Sequence, residues 1–237
     1  ELLLAQIDLV VTSVLLDAGA GPSWRFKDPL TQKYHSRSEG LALASLYLFS
    51  DGTFSSDPNV PLKADAKGLQ KFSVEQLTEG FQVSAANQLV GLEERAALLR
   101  RLGEQLGSFL GTDQESNPRI ANILDHLLIK EDRVLKADLL LGTLLKLLQD
   151  VWPTRLTLGG QNLGDVWRHR LLTDSEITAE LVPFHKLTQW LTYSLLEPLE
   201  DAGVKVQNID LLTGLPEYRN GGLFSVSYTH LRAHETR

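Results

Sequence analysis

Charged and aromatic residues gather in a few short segments of this chain, at predicted loops and helix starts. Such mixtures are unusual at a solvated surface and are typical of a pocket lining. In residues 163–169, Asp165 and His169 are four positions apart, so on a helix they would face the same side and could share a proton. A metal site there lacks a third ligand, and a surface pair is the favoured alternative to it.

A second segment, residues 183–194, predicts a binding face on a helix. There His185, Gln189 and Tyr193 form one polar stripe, while Lys186 and Trp190 lie on the neighbouring stripe. A face that mixes imidazole, amide, ammonium and indole groups is poor core and costly surface. A protein interface and plain surface stay open as alternatives.

Two further segments predict places where the backbone can approach a ligand. Asp17 opens an Asp-Ala-Gly-Ala-Gly run after a predicted helix, with an ordinary helix C-cap as the alternative. Arg37 and Glu39 stand at a helix start, where free N–H groups favour a phosphate, with ordinary capping as the alternative. Residues 212–222 add a carboxylate, a phenol and a guanidinium beside glycines: Glu217, Tyr218 and Arg219.

The elements that must position these segments are predicted to be helices. Apolar residues recur at three- and four-residue spacing from Leu3 to Leu15, and Gly and Pro then end the run. Capping signals at Ser36, Ser73 and Asn117 start further helices. The sequence predicts a mainly α, single multi-helix globular domain with at most one or two short strands. The further predicted helices span about 36–49, 73–80, 89–106, 117–128, 136–150 and 183–201. The two candidate strands are 154–158 and 204–206.

Composition narrows the possible partners. The chain has 237 residues, 43% hydrophobic residues, no Cys and a formal net charge of −7. An acidic chain without a basic block disfavours nucleic acid as a partner, and the lack of Cys excludes a thiolate metal site. No uncharged run reaches the roughly 18 residues that a membrane span needs, so we expect a cytoplasmic protein that does not enter membranes.

Both ends of the chain predict a fragment. The chain opens at Glu1 within an apparent helix, and residues 226–237 resemble a translated sequencing adapter instead of native protein. We therefore expect residues 1–225 to form one helical domain truncated at both ends. No function is expected for His230 or His234.

Several of these motifs resemble one known family, the fourth uracil catabolism protein of fungi and bacteria, long labelled a domain of unknown function. The similar segments occur in order along the chain: residues 15–22, 37–42, 80–83, 152–155, 164–167, 183–194 and 212–222. The resemblance implies a role in a route where uracil becomes a ribotide and its opened base leaves a ribosylurea-type intermediate. Residues 213–219 are also faintly similar to queuosine-salvage nucleosidases, helical proteins that cleave an N-glycosidic bond.

The two resemblances together imply hydrolysis of the ribose–nitrogen bond of a ribosylurea phosphate or related nucleotide, which releases urea. The oxocarbenium-like transition state needs a carboxylate and a proton donor, and no metal or organic cofactor. The candidate catalytic residues are Asp165, Glu217 and Asp17. The candidate substrate-binding residues are Arg37, Glu39, Trp167, His169, His185, Lys186, Gln189, Trp190, Tyr218 and Arg219. An amidohydrolase acting on the urea group and a non-catalytic binding protein of the same pathway are the alternatives.

Overall fold

The computed structural model describes residues 1–111, 116–129, 131–153, 156–169, 172 and 180–215. Within these residues the chain forms eight α-helices, and the predicted mainly α class is confirmed. Two short 3₁₀ helices, Ile120–Ile123 and Ile209–Leu211, accompany them. The α-helices are α1 (Leu2–Leu16), α2 (Arg37–Ser50), α3 (Ala66–Gln70), α4 (Val74–Gly80), α5 (Leu92–Leu110), α6 (Leu124–Leu127), α7 (Ala137–Leu148) and α8 (Lys186–Asp201).

Helix α1 lies at the centre of the core. Its Ile7, Val11 and Leu15 have no exposed surface, because α2, α5 and α8 all pack against it. Each such side chain contributes about 1.5–3 kcal/mol of hydrophobic stabilisation. Helix α3 packs against α5, and α7 packs against α5 and α8. None of the helices in the described ranges has the length and apolar character required to cross a membrane.

Short strand pairs connect the helices. The described residues contain eight strands of two or three residues, in four two-stranded sheets, so the prediction of one or two strands was too low. Strands this short carry no readable alternation in the sequence. The antiparallel pairs are β1 (Phe26–Lys27) with β2 (Tyr34–His35), β4 (Thr157–Leu158) with β5 (Gln161–Asn162), and β6 (Val166–Arg168) with β7 (Leu181–Pro183). The parallel pair joins β3 (Val134–Lys136) to β8 (Lys205–Gln207), which overlaps the predicted strand at 204–206.

The capping predictions have mixed outcomes. The box at Ser73 is confirmed, since its hydroxyl accepts from the Gln76 N–H while the Gln76 side chain accepts from the Ser73 N–H. Ser36 is the N-cap residue of α2, but its side chain makes no cap hydrogen bond, so the predicted box with Glu39 is wrong. Contrary to the prediction, Asn117 is not the N-cap of a helix that follows it; its side-chain oxygen instead accepts from the backbone N–H of Lys67 in the first turn of α3.

The helix on which Asp165 and His169 would face the same side does not form. Residues between them form β6, which pairs with β7 in the register Val166 with Pro183. Pro183 therefore ends a strand, and the last long helix begins three residues later, at Lys186. The physical reason is a long-range pairing, which the four-residue spacing of two polar side chains cannot reveal.

Candidate active-site pocket

An open cavity of about 840 Å³ lies where the end of α1 meets the starts of α2 and α8. Five of the predicted site residues line it, although they come from distant parts of the sequence: Asp17, Arg37, Asp165, Lys186 and Trp190. The cavity therefore brings two carboxylates, two cations and an indole ring to one place. Such a combination can bind an anionic ligand and act on it with acid–base groups.

Asp165 is held in place from two sides. The indole N–H of Trp167 donates to its Oδ1 at 2.9 Å, and the backbone N–H of Lys186 donates to its Oδ2 at 3.3 Å. The backbone carbonyl of Asp165 also accepts from the N–H groups of Phe184 and His185, at 3.1 and 3.2 Å. These bonds fix the start of β6 to the start of α8, and they aim the carboxylate at a defined position.

Asp17 lies at the C-terminal end of α1 and is half-buried. The Ser38 hydroxyl donates to its Oδ1 at 3.2 Å, which links the end of α1 to the first turn of α2. Burial raises the pKa of Asp17, while the Ser38 hydrogen bond and the Arg95 charge partly oppose the rise. A raised pKa brings a carboxyl group closer to the range useful for proton transfer near neutral pH.

Arg95, a residue of α5 that was not predicted, shapes the loop after Asp17. It is 2% exposed, and its guanidinium donates to the carbonyls of Leu16, Ala18 and Gly19, the last two at 2.6 and 2.9 Å. Its Nε donates to the Val90 carbonyl at 3.0 Å. Burial lowers the pKa of Arg95, and the Asp17 charge opposes this. The buried cation thus satisfies carbonyl groups that the end of α1 leaves unpaired.

The first turn of α2 has an unusual backbone conformation and packs closely against neighbouring groups. Arg37 begins the helix with φ +54°, a left-handed conformation that costs a non-glycine residue of order 1 kcal/mol or more. Three residues on, a Cβ at Gly40 would lie 2.9 Å from both the His35 carbonyl oxygen and the buried ring of Trp24. Glycine at this position lets the start of α2 pack tightly beside the cavity.

A second, smaller compartment of about 200 Å³ adjoins the cavity. Asp165 and Leu187 line both spaces, so they form the boundary between them. On the far side of this boundary lie Trp152, Gly164 and Thr188. None of these three was a predicted site residue.

Other predicted site residues lie elsewhere. Glu39 is exposed in the first turn of α2, and His169 is exposed after β6, where its backbone N–H donates to the Glu180 carbonyl at 2.9 Å. Neither lines the cavity. His185 is half-buried before α8; burial lowers its pKa, and the Asp165 charge opposes this.

The polar stripe of α8 contacts the chain itself. Thr213 donates its hydroxyl to Gln189 Oε1 at 2.9 Å, and Tyr193 donates its hydroxyl to the Thr213 carbonyl at 2.9 Å. These bonds hold the segment that brings Leu215 to the cavity wall. Glu217, Tyr218 and Arg219 lie outside the described residues, as do residues 226–237.

Metal ligands do not cluster in the part of the chain that the structure describes: no three His, Asp or Glu side chains there form a group that could hold a metal ion.

The functional signal that sequence reasoning missed was Arg95. It stands at helical spacing with Leu99 and Leu102 on the buried face of α5, and a charge on an apolar stripe needs buried partners.

Comparison with known proteins places this chain in a family. Residues 1–236 match the family described as "Protein of unknown function (DUF1688)". The chain belongs to this family. The DUF1688 chain is 49% identical over 219 residues to "Protein urg3" of Schizosaccharomyces pombe, covering 92% of the chain and 51% of that protein. It is 41% identical over 230 residues to "Uracil catabolism protein 4" of Lachancea kluyveri, covering 92% of the chain and 52% of that protein.

The family resemblance read from the sequence motifs is therefore confirmed. The DUF1688 chain spans about half the length of the curated relatives that it matches.

Proposed function

We propose that this DUF1688 protein acts in uracil catabolism, where it hydrolyses the ribose–nitrogen bond of a ribosylurea phosphate and releases urea. The name of the Lachancea kluyveri relative, "Uracil catabolism protein 4", supports the pathway. The single observation that supports the reaction is the convergence of Asp17, Arg37, Asp165 and Lys186 on one cavity. An anionic sugar needs the cations, and cleavage of its glycosidic bond needs the carboxylates.

Arg37 and Lys186 are assigned to the phosphate group. Each begins a helix at the cavity, where backbone N–H groups and the helix dipole add to the side-chain charge. Arg37 is exposed and lines the cavity, so its guanidinium can turn to a ligand without losing a buried contact. Trp190 adds an aromatic wall against which a sugar can pack.

The carboxylates are assigned to different parts of the reaction. The ribose–nitrogen bond breaks, a water oxygen bonds to the sugar carbon, and a proton must reach the departing nitrogen to give urea. Asp165, fixed by two N–H donors, stabilises the positive charge on the sugar carbon. Asp17 accepts the proton from the attacking water, a role that its raised pKa suits. Glu217 stays a candidate catalytic carboxylate on sequence grounds alone, and we assign to it the proton transfer to the departing nitrogen.

The test supplies purified protein with ribosylurea 5-phosphate and measures free urea over time. Turnover is expected in the unmodified protein, with a loss of roughly 100-fold or more in Asp165→Asn and in Asp17→Asn. Asp201→Asn is the matched control, because Asp201 is exposed at the opposite end of α8 from Lys186. Equal turnover in all four proteins would remove the assigned roles.

The same assay separates the alternatives. Release of ammonia and carbon dioxide instead of urea would identify an amidohydrolase. Thermal stabilisation of the protein by the probe without any product would identify a non-catalytic binding protein.

A further inference from the structure

Thr188, in the first turn of α8, carries a buried hydroxyl group without a hydrogen-bond partner in the described parts of the chain. The residue is 1% exposed. Its neighbour one turn later, Thr192, is equally buried but donates its own hydroxyl to the Thr188 carbonyl at 2.8 Å. An unpaired buried hydroxyl destabilises the folded state, so its presence needs an explanation.

The position of Thr188 offers one. It lines the compartment of about 200 Å³ that adjoins the large cavity across Asp165. Trp152 and Gly164 also line this compartment. A Cβ on Gly164 would lie 3.4 Å from Trp152 Cδ1, so glycine leaves the edge of the indole ring accessible.

The chemistry of the compartment differs from that of the cavity. The described residues that line it include the Asp165 carboxylate but no Lys or Arg, whereas Arg37 and Lys186 line the cavity. Among the described lining residues, an anion would meet the negative charge of Asp165 and no Lys or Arg to compensate it. A neutral planar group fits better, because its N–H groups can donate to Asp165 and its carbonyl can accept from the Thr188 hydroxyl.

We infer that the compartment binds the uncharged ureido end of the substrate, with Thr188 as its hydrogen-bond partner, while the phosphate end occupies the cavity. This inference rests on the proposed function for the identity of the two ends. It fixes the direction of the ligand, and it puts the ribose–nitrogen bond beside Asp165, the residue shared by the two spaces. Thr188 thereby becomes a residue that selects for the ureido group.

Two probes and an isosteric variant test the inference. Calorimetry measures the affinity of ribosylurea 5-phosphate and of ribose 5-phosphate, which lacks the ureido group, for protein with and without Thr188→Val. Both proteins also carry Asp17→Asn, so that slow turnover keeps the first probe intact while Asp165 is unchanged. Thr188→Val is expected to lower the affinity for ribosylurea 5-phosphate by roughly 5- to 10-fold and the affinity for ribose 5-phosphate by less than about 2-fold.

The stability of the unliganded protein gives a second readout. Removal of an unpaired buried hydroxyl should leave the melting temperature of Thr188→Val equal to or above that of its parent. Thr192→Val is the matched control, because it changes the same atoms one helical turn away, and we expect both affinities to stay unchanged. An equal loss for both probes, no loss for either, or a lower melting temperature in Thr188→Val would overturn the inference.

Failure of the proposed function has a different signature. In that case the protein without substitutions releases no urea from ribosylurea 5-phosphate, while the probe-selective effect of Thr188→Val on binding remains. If the function holds but the inference fails, urea is released, and Thr188→Val changes the affinity for both probes to the same extent or for neither.

Discussion

Replacement of Arg95 by methionine tests whether one buried cation shapes the pocket. Methionine keeps most of the apolar stem and removes the guanidinium that bonds four carbonyl groups. The carbonyls of Ala18 and Gly19 belong to exposed residues and can bind water instead, but Leu16 has no exposed surface. Its unpaired carbonyl costs about 1–3 kcal/mol, and half-buried Asp17 loses its nearby positive charge.

These losses together come to about 3 kcal/mol, which corresponds to a fall in melting temperature of about 6–12 °C for a domain of this size. The loop after Asp17 also loses the group that holds its shape, so we expect the affinity for ribose 5-phosphate to fall about 10-fold. Thermal melts and calorimetry measure the two effects.

Arg101→Met is the matched control for this experiment. Arg101 lies on the same helix, and its Nε donates to a single carbonyl, that of Val151, at 2.6 Å. We expect a loss of about 1–2 kcal/mol and an unchanged affinity for ribose 5-phosphate. The reasoning is refuted if Arg95→Met destabilises the protein no more than Arg101→Met does, or if it binds the probe normally.

Three further outcomes are expected. Burial raises the pKa of Asp8 from 3.8 to about 6. The folded state therefore binds the proton of Asp8 more tightly than the unfolded state does. The stability that this provides is present below about pH 4 and is lost as the pH rises through 6. Urea denaturation should show this loss, about 3 kcal/mol, relative to Asp8→Asn, and equal pH slopes would contradict it. Gly40→Ala should lower the stability of the protein by about 1–3 kcal/mol, because the added Cβ meets two groups at 2.9 Å. Gly107→Ala, whose Cβ meets nothing within 4 Å, should not lower it. A higher melting temperature for both variants would be inconsistent with tight packing at Gly40. Trp167→Phe removes one N–H donor from Asp165, so steady-state kinetics should show kcat roughly 2- to 10-fold lower at constant KM, and an unchanged kcat would exclude this positioning role.

Local signals in the sequence predicted only part of the local structure. The Ser73 capping box is decided within four residues, so its pattern was sufficient. A similar pattern at Ser36 did not form a box, and the next residue, Arg37, has a left-handed conformation. Asp165 and His169 do not share a helix face, because the residues between them form β6, which pairs with β7, a strand separated from it in sequence.

The pocket itself could be predicted only in part. Clusters of charged and aromatic residues in the sequence indicated a set of candidate site residues, and four charged members of that set line one cavity: Asp17, Arg37, Asp165 and Lys186. Arg95 could not be linked to that cavity, because its carbonyl partners at the end of α1 are 76 to 79 residues away in sequence. Thr188 gave no signal, since a threonine in a helix is ordinary until its burial is known.

The central claim is that one cavity holds an anionic sugar with its phosphate between Arg37 and Lys186. The most direct measurement is a crystal structure of the Asp17→Asn protein with ribosylurea 5-phosphate. The expected density has phosphate oxygens within about 3 Å of both cations and the ureido group beside Thr188. A ligand bound on another surface, or in the cavity with its phosphate away from both Arg37 and Lys186, would contradict the account.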